Sequence, residues 1–300
     1  MNPVINLNKP KDISSQQAVT KVKQLFGARK AGHAGTLDPM ATGVLIVCLN
    51  EATKIARFLS DLDKEYIVRL KLGERTDTYD STGAIIDKRD VRLIDEKEIY
   101  EILERFTGSI RQTPPMYSAI KVGGKPLYKL ARKGIHIERA ERMISIQSIR
   151  LLQFDLPFIT LKVSCSKGTY IRTLCDDIGN ALGTGAHMVF LERSRIGFFC
   201  IENSASFEDI LFKKSAHHSM DAALSHLDEI ILTEDDFRRA KNGMPIYTAY
   251  PSISAFNSGG IAAVEKVPKS QYVRLKDPEN ILFGIGKIED KVIKIERLLN

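Results

Sequence analysis

The chain predicts an α+β fold: a mixed or antiparallel central sheet, flanking helices, and a small β-rich region at the end. Three observations carry this. Segments with helical spacing of apolar residues and segments with strict alternation both occur, without the regular βαβ rhythm of a doubly wound sheet. The 300 residues, 43% of them hydrophobic, suffice for two domains. From about Asn242 onward the helical spacing stops, and short apolar runs are separated by Gly, Pro, Ser and Asn.

The elements follow in order. Ser14 and Gln17 form a capping box for a helix that continues through Ala18, Val22 and Leu25 and stops at Gly27. Residues 32–43, rich in Gly, Pro and Thr, read as loop. Val44 to Leu49 is an apolar run that fits a buried strand. Ile55, Phe58, Leu59 and Leu62 recur at helical spacing. In Glu65 to Leu72, Tyr66, Val68 and Leu70 share one face of a strand that Gly73 ends. Ile99, Ile102, Leu103 and Phe106 mark another helix. Leu161 to Cys165 reads as a strand, followed by a helix burying Ile171, Leu174 and Ile178. Val292, Ile293 and Ile295 form a final strand. The expected division is residues 1–238 and residues 239–300, with the change near Phe237 to Gly243.

Charge and cysteine usage narrow the function classes. There are 44 Lys and Arg against 37 Asp and Glu, a net charge of +7 and a pI near 9.1. This fits an anionic partner and favours nucleic acid only modestly. Residues 239–300 hold ten Lys and Arg against six Asp and Glu, which serves a solvated face as well as an RNA contact. Lys121 to Arg142 is denser: Lys121, Lys125, Lys129, Arg132, Lys133, Arg139 and Arg142 face only Glu138 and Glu141, with Tyr128 among them. With Gly123-Gly124 for flexibility, this reads as a finger that tracks phosphates, ahead of an ordinary exposed loop. Cys48, Cys165, Cys175 and Cys200 form no Cys-x-x-Cys pair, so neither a zinc site nor a disulfide framework is expected. The first residues lack a signal-peptide pattern, and no apolar run reaches the ~18 residues of a membrane span. The expectation is a cytoplasmic protein.

The loop Gly32-His-Ala-Gly-Thr-Leu-Asp38-Pro39 carries the most chemistry. Small residues flank one carboxylate and one imidazole, and Pro39 stiffens the backbone after Asp38. A fixed carboxylate suits a nucleophile or general base. By residue chemistry alone the plainer reading stays ahead: Asp-Pro opening a turn, with a structural histidine in His33.

The loop resembles the signature of the TruB family of pseudouridine synthases, a Gly-His-x-Gly-x-Leu-Asp-Pro run followed by Ala-Thr-Gly and Ala-Thr-Lys. Here these are Ala41-Thr42-Gly43 and Ala52-Thr53-Lys54. Other elements follow in family order. They are Asn8-Lys9-Pro10 with Ser14-Ser15, Asp63 to Tyr66, residues 71–78 with Asp80 to Gly83, and Gln112 to Lys121. Cys165 to Leu174 with Asp176 to Gly179, Leu191 to Gly197, and Phe283 to Gly286 complete the set. Asp12 and Asn50 stand where the family commonly has glycine.

The resemblance implies a pseudouridine synthase fold with a C-terminal PUA-like domain and an insertion, about residues 112–142, that grips the T-arm. It implies isomerisation of uridine 55 in the T-loop of tRNA, with the base flipped out and Asp38 as the essential carboxylate. Attack on the base, attack on the sugar and deprotonation of C2′ all remain open. Arg172 matches the arginine that pairs with that carboxylate. Tyr66 matches the tyrosine that stacks on the flipped base and assists proton removal at C5. Tyr170 and Leu191 match uracil-pocket residues, His33 the histidine that fills the disrupted T-loop, and Lys9 a support of the site loop. No cofactor, metal or protein partner is implied, and a monomer is expected. Two other readings stay on the table: the catalytic subunit of a guide-RNA-directed particle, and an RNA-binding module without catalysis.

Overall fold

The computed structural model describes residues 2–91, 94–135, 137–212, 217–247, 272–289 and 292–299. Strand β1 (Val4–Lys9) is followed by helix α1 (Ser15–Leu25), β2 (Ala31–His33), β3 (Thr42–Leu49) and β4 (Lys64–Leu72). Then come helix α2 (Glu96–Arg105), β5 (Gly108–Gln112), β6 (Arg142–Asp155) and β7 (Phe158–Cys165). Helix α3 (Ile171–Ala181), β8 (Ala186–Ile196) and β9 (His217–His218) complete the central layer. Its sheet runs β9-β1-β3-β8-β4-β7-β6-β5, with β2 paired to β3 off that path.

Local rules account for much of this. The Ser14 hydroxyl accepts from the Gln17 amide at 3.2 Å, and the Gln17 side chain accepts from the Ser14 amide at 2.8 Å. Such a cap contributes about 1 kcal/mol. Gly27, at φ +58°, ends the helix. Strand β3 is apolar on both faces because both are covered. Leu45, Val47 and Leu49 join the core beneath α1 and α3, while Val44, Ile46 and Cys48 face a second core that reaches the C-terminal region. Strand β4 alternates as expected, with Tyr66, Val68, Leu70 and Leu72 buried in the first core.

Some elements depart from the expectations. The stretch at 32–43 is not all loop: Gly32 and His33 lie in β2, paired with Cys48 and Val47. Pairing at a sheet edge uses the backbone, so small residues do not forbid it. Ile55 to Leu62 is split between a 3₁₀ turn, Asn50–Ile55, and a short helix, Ala56–Ser60. Gly123 and Gly124, expected to be flexible, form a two-residue hairpin turn between paired Val122 and Lys125. Both have positive φ, which fits a type I′ geometry.

The C-terminal sheet contains β10 (Asp228–Ile231), β11 (Ile246–Tyr247), β12 (Tyr272–Lys276), β13 (Leu282–Glu289) and β14 (Val292–Leu298), in order β10-β12-β13-β14-β11. Helix α4 (Glu234–Lys241) covers it through Phe237, stacked edge-on against Phe283. The sheet thus begins at Asp228, ahead of the expected division at 238/239. Strand β10 is short and mostly exposed, so it leaves no apolar run to read. Gly259-Gly260 and Asp290, cited as turn signals, lie outside the described residues. The sheet is fastened to the central layer. Tyr272 meets Phe58 edge-on at 4.9 Å, Lys54 donates to the Leu298 carbonyl at 3.0 Å, and Arg57 pairs with Glu296. Among the described residues no helix is long and apolar enough to cross a membrane.

The seam of the central sheet is the pairing of β3 with β8. It is parallel, whereas the other neighbours along the path are antiparallel. Gly43 lies opposite Arg193 there, at φ +99°, and a Cβ on it would sit 2.3 Å from the Arg193 carbonyl oxygen. Gly43→Ala is expected to destabilise the protein by at least about 2 kcal/mol, from backbone strain plus overlap. Urea unfolding measures it.

Candidate active site

Asp38 lies on the loop between β2 and β3, a turn closed by the Ala41 amide donating to the Asp38 carbonyl at 3.1 Å. The flanks of Asp38 are held from several sides. The Ser15 hydroxyl donates to the Leu37 carbonyl and accepts from the Leu37 amide, both at 2.8 Å. The Pro39 carbonyl accepts from the Asp12 amide at 2.8 Å and from Lys9 Nζ at 3.3 Å. The Gly35 and Thr36 carbonyls accept from Arg193, at 3.1 and 3.4 Å. A loop held this way presents its carboxylate without reorganising.

Lys9 and Arg193 are both buried, and most of their hydrogen bonds go to main-chain carbonyls. Lys9 Nζ also donates to Pro10 and Ile13, each at 2.8 Å, and Arg193 Nε to Val44 at 2.8 Å. Burial lowers the Lys9 pKa to about 8, with Asp38 and Asp12 opposing the shift. Lys9 therefore remains mostly a cation at neutral pH.

Arg172, on the first turn of α3, faces Asp38 with two nitrogens: Nε at 3.0 Å from Oδ2 and Nη2 at 3.4 Å from Oδ1. Its other donors reach Asp80 Oδ2 at 3.2 Å and the Tyr117 carbonyl at 2.9 Å. The two carboxylates differ in access. The Asp38 side chain is 32% exposed and that of Asp80 only 5%. Asp80 Oδ1 also accepts from the Thr78 hydroxyl at 2.8 Å and the Thr82 amide at 2.9 Å. Enclosure by the loop raises the Asp38 pKa above the ordinary carboxylate value. Arg172 pulls it back, Asp80 adds to the rise, and Lys9 and Arg193 lower it again.

The other expected site residues surround this group. Tyr66 on β4 is directly opposite Arg193 on β8, and Leu191 lies two residues before Arg193, opposite Val68. Burial raises the Tyr66 pKa, against the pull of Arg193, so the phenol stays protonated at neutral pH. Tyr170 caps the start of α3. Its amide donates to Gln112 Oε1 at 2.8 Å, and its carbonyl accepts from Gln112 Nε2 at 3.1 Å. His33, on β2, has a buried Nδ1 without a protein partner among the described residues. Burial lowers its pKa, and Arg193 lowers it further, so it is neutral.

Asp80, Arg193 and Gln112 stand inside motifs that the sequence displays, but nothing in their residue type marked them as parts of this group. Asp12 and Asn50 both take positive φ, +67° and +51°, conformations that suit glycine and that Asp and Asn tolerate. The loop geometry survives both departures.

Comparison with known proteins gives a consistent result. Residues 23–171 match the model of the TruB family pseudouridylate synthase N-terminal domain, and residues 172–236 that of the tRNA pseudouridylate synthase B C-terminal domain. The chain is 43% identical over 301 residues to tRNA pseudouridine synthase B of Clostridium tetani, covering 100% of both chains. It is 40% identical to the protein of that name from Haemophilus influenzae strain PittEE, covering 99% of this chain and 94% of the relative. Among solved structures, one described as a Cbf5-Nop10-Gar1 complex aligns at a TM-score of 0.73 and 25% identity, covering 99% of this chain and 84% of the other. On two family models that together span most of its length, and on relatives matched end to end, the chain belongs to the TruB family of pseudouridylate synthases.

Proposed function

We propose that the protein converts uridine 55 in the T-loop of tRNA to pseudouridine, acting alone as a cytoplasmic monomer, with Asp38 as the reacting carboxylate. One observation carries the choice of Asp38. Arg172 bridges two carboxylates, and of these Asp38 is the one open to a substrate. The relatives matched over the whole chain are named as tRNA pseudouridine synthases, which supports tRNA as the substrate.

The reaction breaks the C1′–N1 bond, turns the uracil and forms a C1′–C5 bond; C5 then gives up its proton to solvent and N1 takes one, so the product is an isomer of the substrate. Attack by Asp38 and proton abstraction from C2′ both require its ionised form. Arg172 keeps that form available in an enclosed site and fixes the direction of the free lone pairs. Tyr66 and Leu191 offer a flat and an apolar surface for the flipped base. Tyr66, held as a neutral phenol, fits stacking and hydrogen-bond donation better than removal of the C5 proton. Lys9 positions the loop. Tyr170 lines the uracil pocket, and neutral His33 takes the place left in the T-loop when the uridine turns out. The C-terminal sheet serves as the PUA-like RNA-binding domain.

The basic finger fits the grip on the T-arm. Gln112 and Arg142 are a cross-strand pair of β5 and β6, so everything between them is one excursion from the sheet. Lys121, Lys125, Lys129 and Lys133 are exposed on it, without a carboxylate partner among the described residues. Tyr128 lies under the Arg132 guanidinium, 5.7 Å from ring centre to Cζ.

Three expected outcomes follow from these roles. With no guide RNA or cofactor, the purified protein produces a carbodiimide-dependent primer-extension stop at the T-loop uridine of an unmodified tRNA. Asp38→Asn loses this by roughly a thousandfold or more while still binding tRNA. Retained turnover in that variant rules out the role of Asp38. In a pH–rate profile of kcat/KM, the acidic limb lies above the value of a free aspartic acid, because the ionised form is lost as pH falls through a raised pKa. Arg172→Gln moves the limb to still higher pH, since the cation that favours ionisation is gone. A limb that stays in place contradicts the pairing. Neutralising Lys125, Lys129 and Lys133 together weakens tRNA binding and lowers the slope of log K against log salt by about 0.7–0.9 for each phosphate no longer neutralised. Filter binding over a range of KCl concentrations tests this.

A further inference from the structure

A second basic feature lies apart from both the Asp38 loop and the finger. Between the outer face of α1 and the chain leading into β2 is a cleft of about 450 Å³, and Lys23, Arg29 and Lys30 line it together with Gln16, Thr20 and Thr53. No acidic residue lines it. None of the three cations has a carboxylate partner among the described residues. Three like charges gathered on one concave surface repel one another, and an anion seated there offsets the repulsion.

The cleft is built rather than incidental. Asn50, at φ +51°, accepts with Oδ1 from the Arg29 amide at 2.9 Å and the Lys30 amide at 3.3 Å. Its own amide donates to the Lys30 carbonyl at 2.9 Å. On the helix side, the Lys23 carbonyl is taken by the Ala28 amide at 3.0 Å, which fixes the turn out of α1. The Thr53 hydroxyl donates to the Asn50 carbonyl at 2.7 Å and closes the floor. The backbone carrying Arg29 and Lys30 is therefore fixed before any ligand arrives, which lowers the entropic cost of binding.

Its place in the fold puts it within reach of an RNA bound at the Asp38 loop. Ala31, in the cleft wall, opens β2, the strand that carries His33 and runs directly into the Asp38 loop. Ala31 pairs with Leu49, at the far end of β3 from Gly43, which puts the cleft about 20 Å from the seam at 3.3 Å per residue. An RNA gripped by the finger with one uridine in the site extends well beyond that distance.

We propose that Lys23, Arg29 and Lys30 form a second phosphate-binding site for the backbone of the same tRNA. This rests on the reading that tRNA is the substrate. The test is a Lys23→Gln, Arg29→Gln, Lys30→Gln variant of the full chain, compared with wild type for binding of an unmodified tRNA transcript between low and moderate KCl. The slope of log K against log salt should fall by about 0.7–0.9 for each phosphate the variant no longer neutralises. Affinity at low salt should fall on the order of tenfold, and the loss of activity should fall in KM. An Arg29→Lys, Lys30→Arg variant, which keeps the charge, should retain the wild-type slope. Neutralising exposed Lys97, Arg105 and Arg150, at the other end of the sheet, should leave slope and affinity unchanged. An unchanged slope in the cleft variant, or an equal fall in the distant one, overturns the site. Wild-type protein without turnover on tRNA would instead refute the assigned activity, and it is read separately from any slope.

Discussion

The architecture depends on how the Asp38 loop is held at the parallel seam of the sheet. Two buried cations do this work by an unusual route. Lys9 and Arg193 make most of their hydrogen bonds with main-chain carbonyls, five of which belong to Pro10, Ile13, Gly35, Thr36 and Pro39 around the site. A buried charge without hydrogen bonds costs several kcal/mol, and these carbonyls keep that cost down. The need to satisfy the cations is what immobilises the loop. Gly43 belongs to the same constraint, since Arg193 reaches Val44 and the loop because β8 lies directly against a residue with no side chain.

The charges are placed so that the positive ones outnumber the negative. Lys9, Arg172 and Arg193 surround Asp38 and Asp80. Water is largely excluded, so these interactions act at a lower effective dielectric than at the surface. Asp80 takes part of the Arg172 guanidinium with Oδ2, while Thr78 and Thr82 occupy its Oδ1 and burial closes it to solvent. Arg172 thus makes a two-nitrogen contact with Asp38 and still holds Asp80 through Nη1. It leaves Asp38 ionisable, oriented and still accessible.

Much of this was legible in the sequence where one local rule acts alone. The Ser14 cap, the alternation of Tyr66, Val68 and Leu70, and the apolar run of β3 each follow from a single periodicity or hydrogen bond. Strands β6 and β8 were not legible. Strand β8 reads Ala-His-Met-Val-Phe-Leu-Glu-Arg-Ser-Arg-Ile, and its charged residues break the apolar pattern. Arg193 is buried and Arg195 is exposed, yet their local sequence is alike. Only the long-range pairing with β3 and β4 tells them apart. Asp38 and Arg172 are far apart in the chain and meet only through tertiary packing, so their pairing came from family resemblance and not from spacing. The early start of the C-terminal sheet was hidden because β10 is an exposed edge strand.

The finger is rooted in the same hydrogen-bond system that orients Arg172. Gln112, at its base, clamps both backbone groups of Tyr170, two residues before Arg172 on the way into α3. Tyr117, further along the finger, gives its carbonyl to Arg172 itself. The base of the finger therefore cannot shift without disturbing the arginine that faces Asp38. Its far end has no such tie. Lys121 to Lys133 project from a short hairpin and one helical turn, with their ammonium groups in solvent. The exposed cations of the finger thus lie away from the ties that hold its base, and Asp38 and Arg172 lie among those ties. The same contrast separates the long flexible lysines of the finger from Lys9, whose stem and ammonium are enclosed and whose role is to hold a turn still.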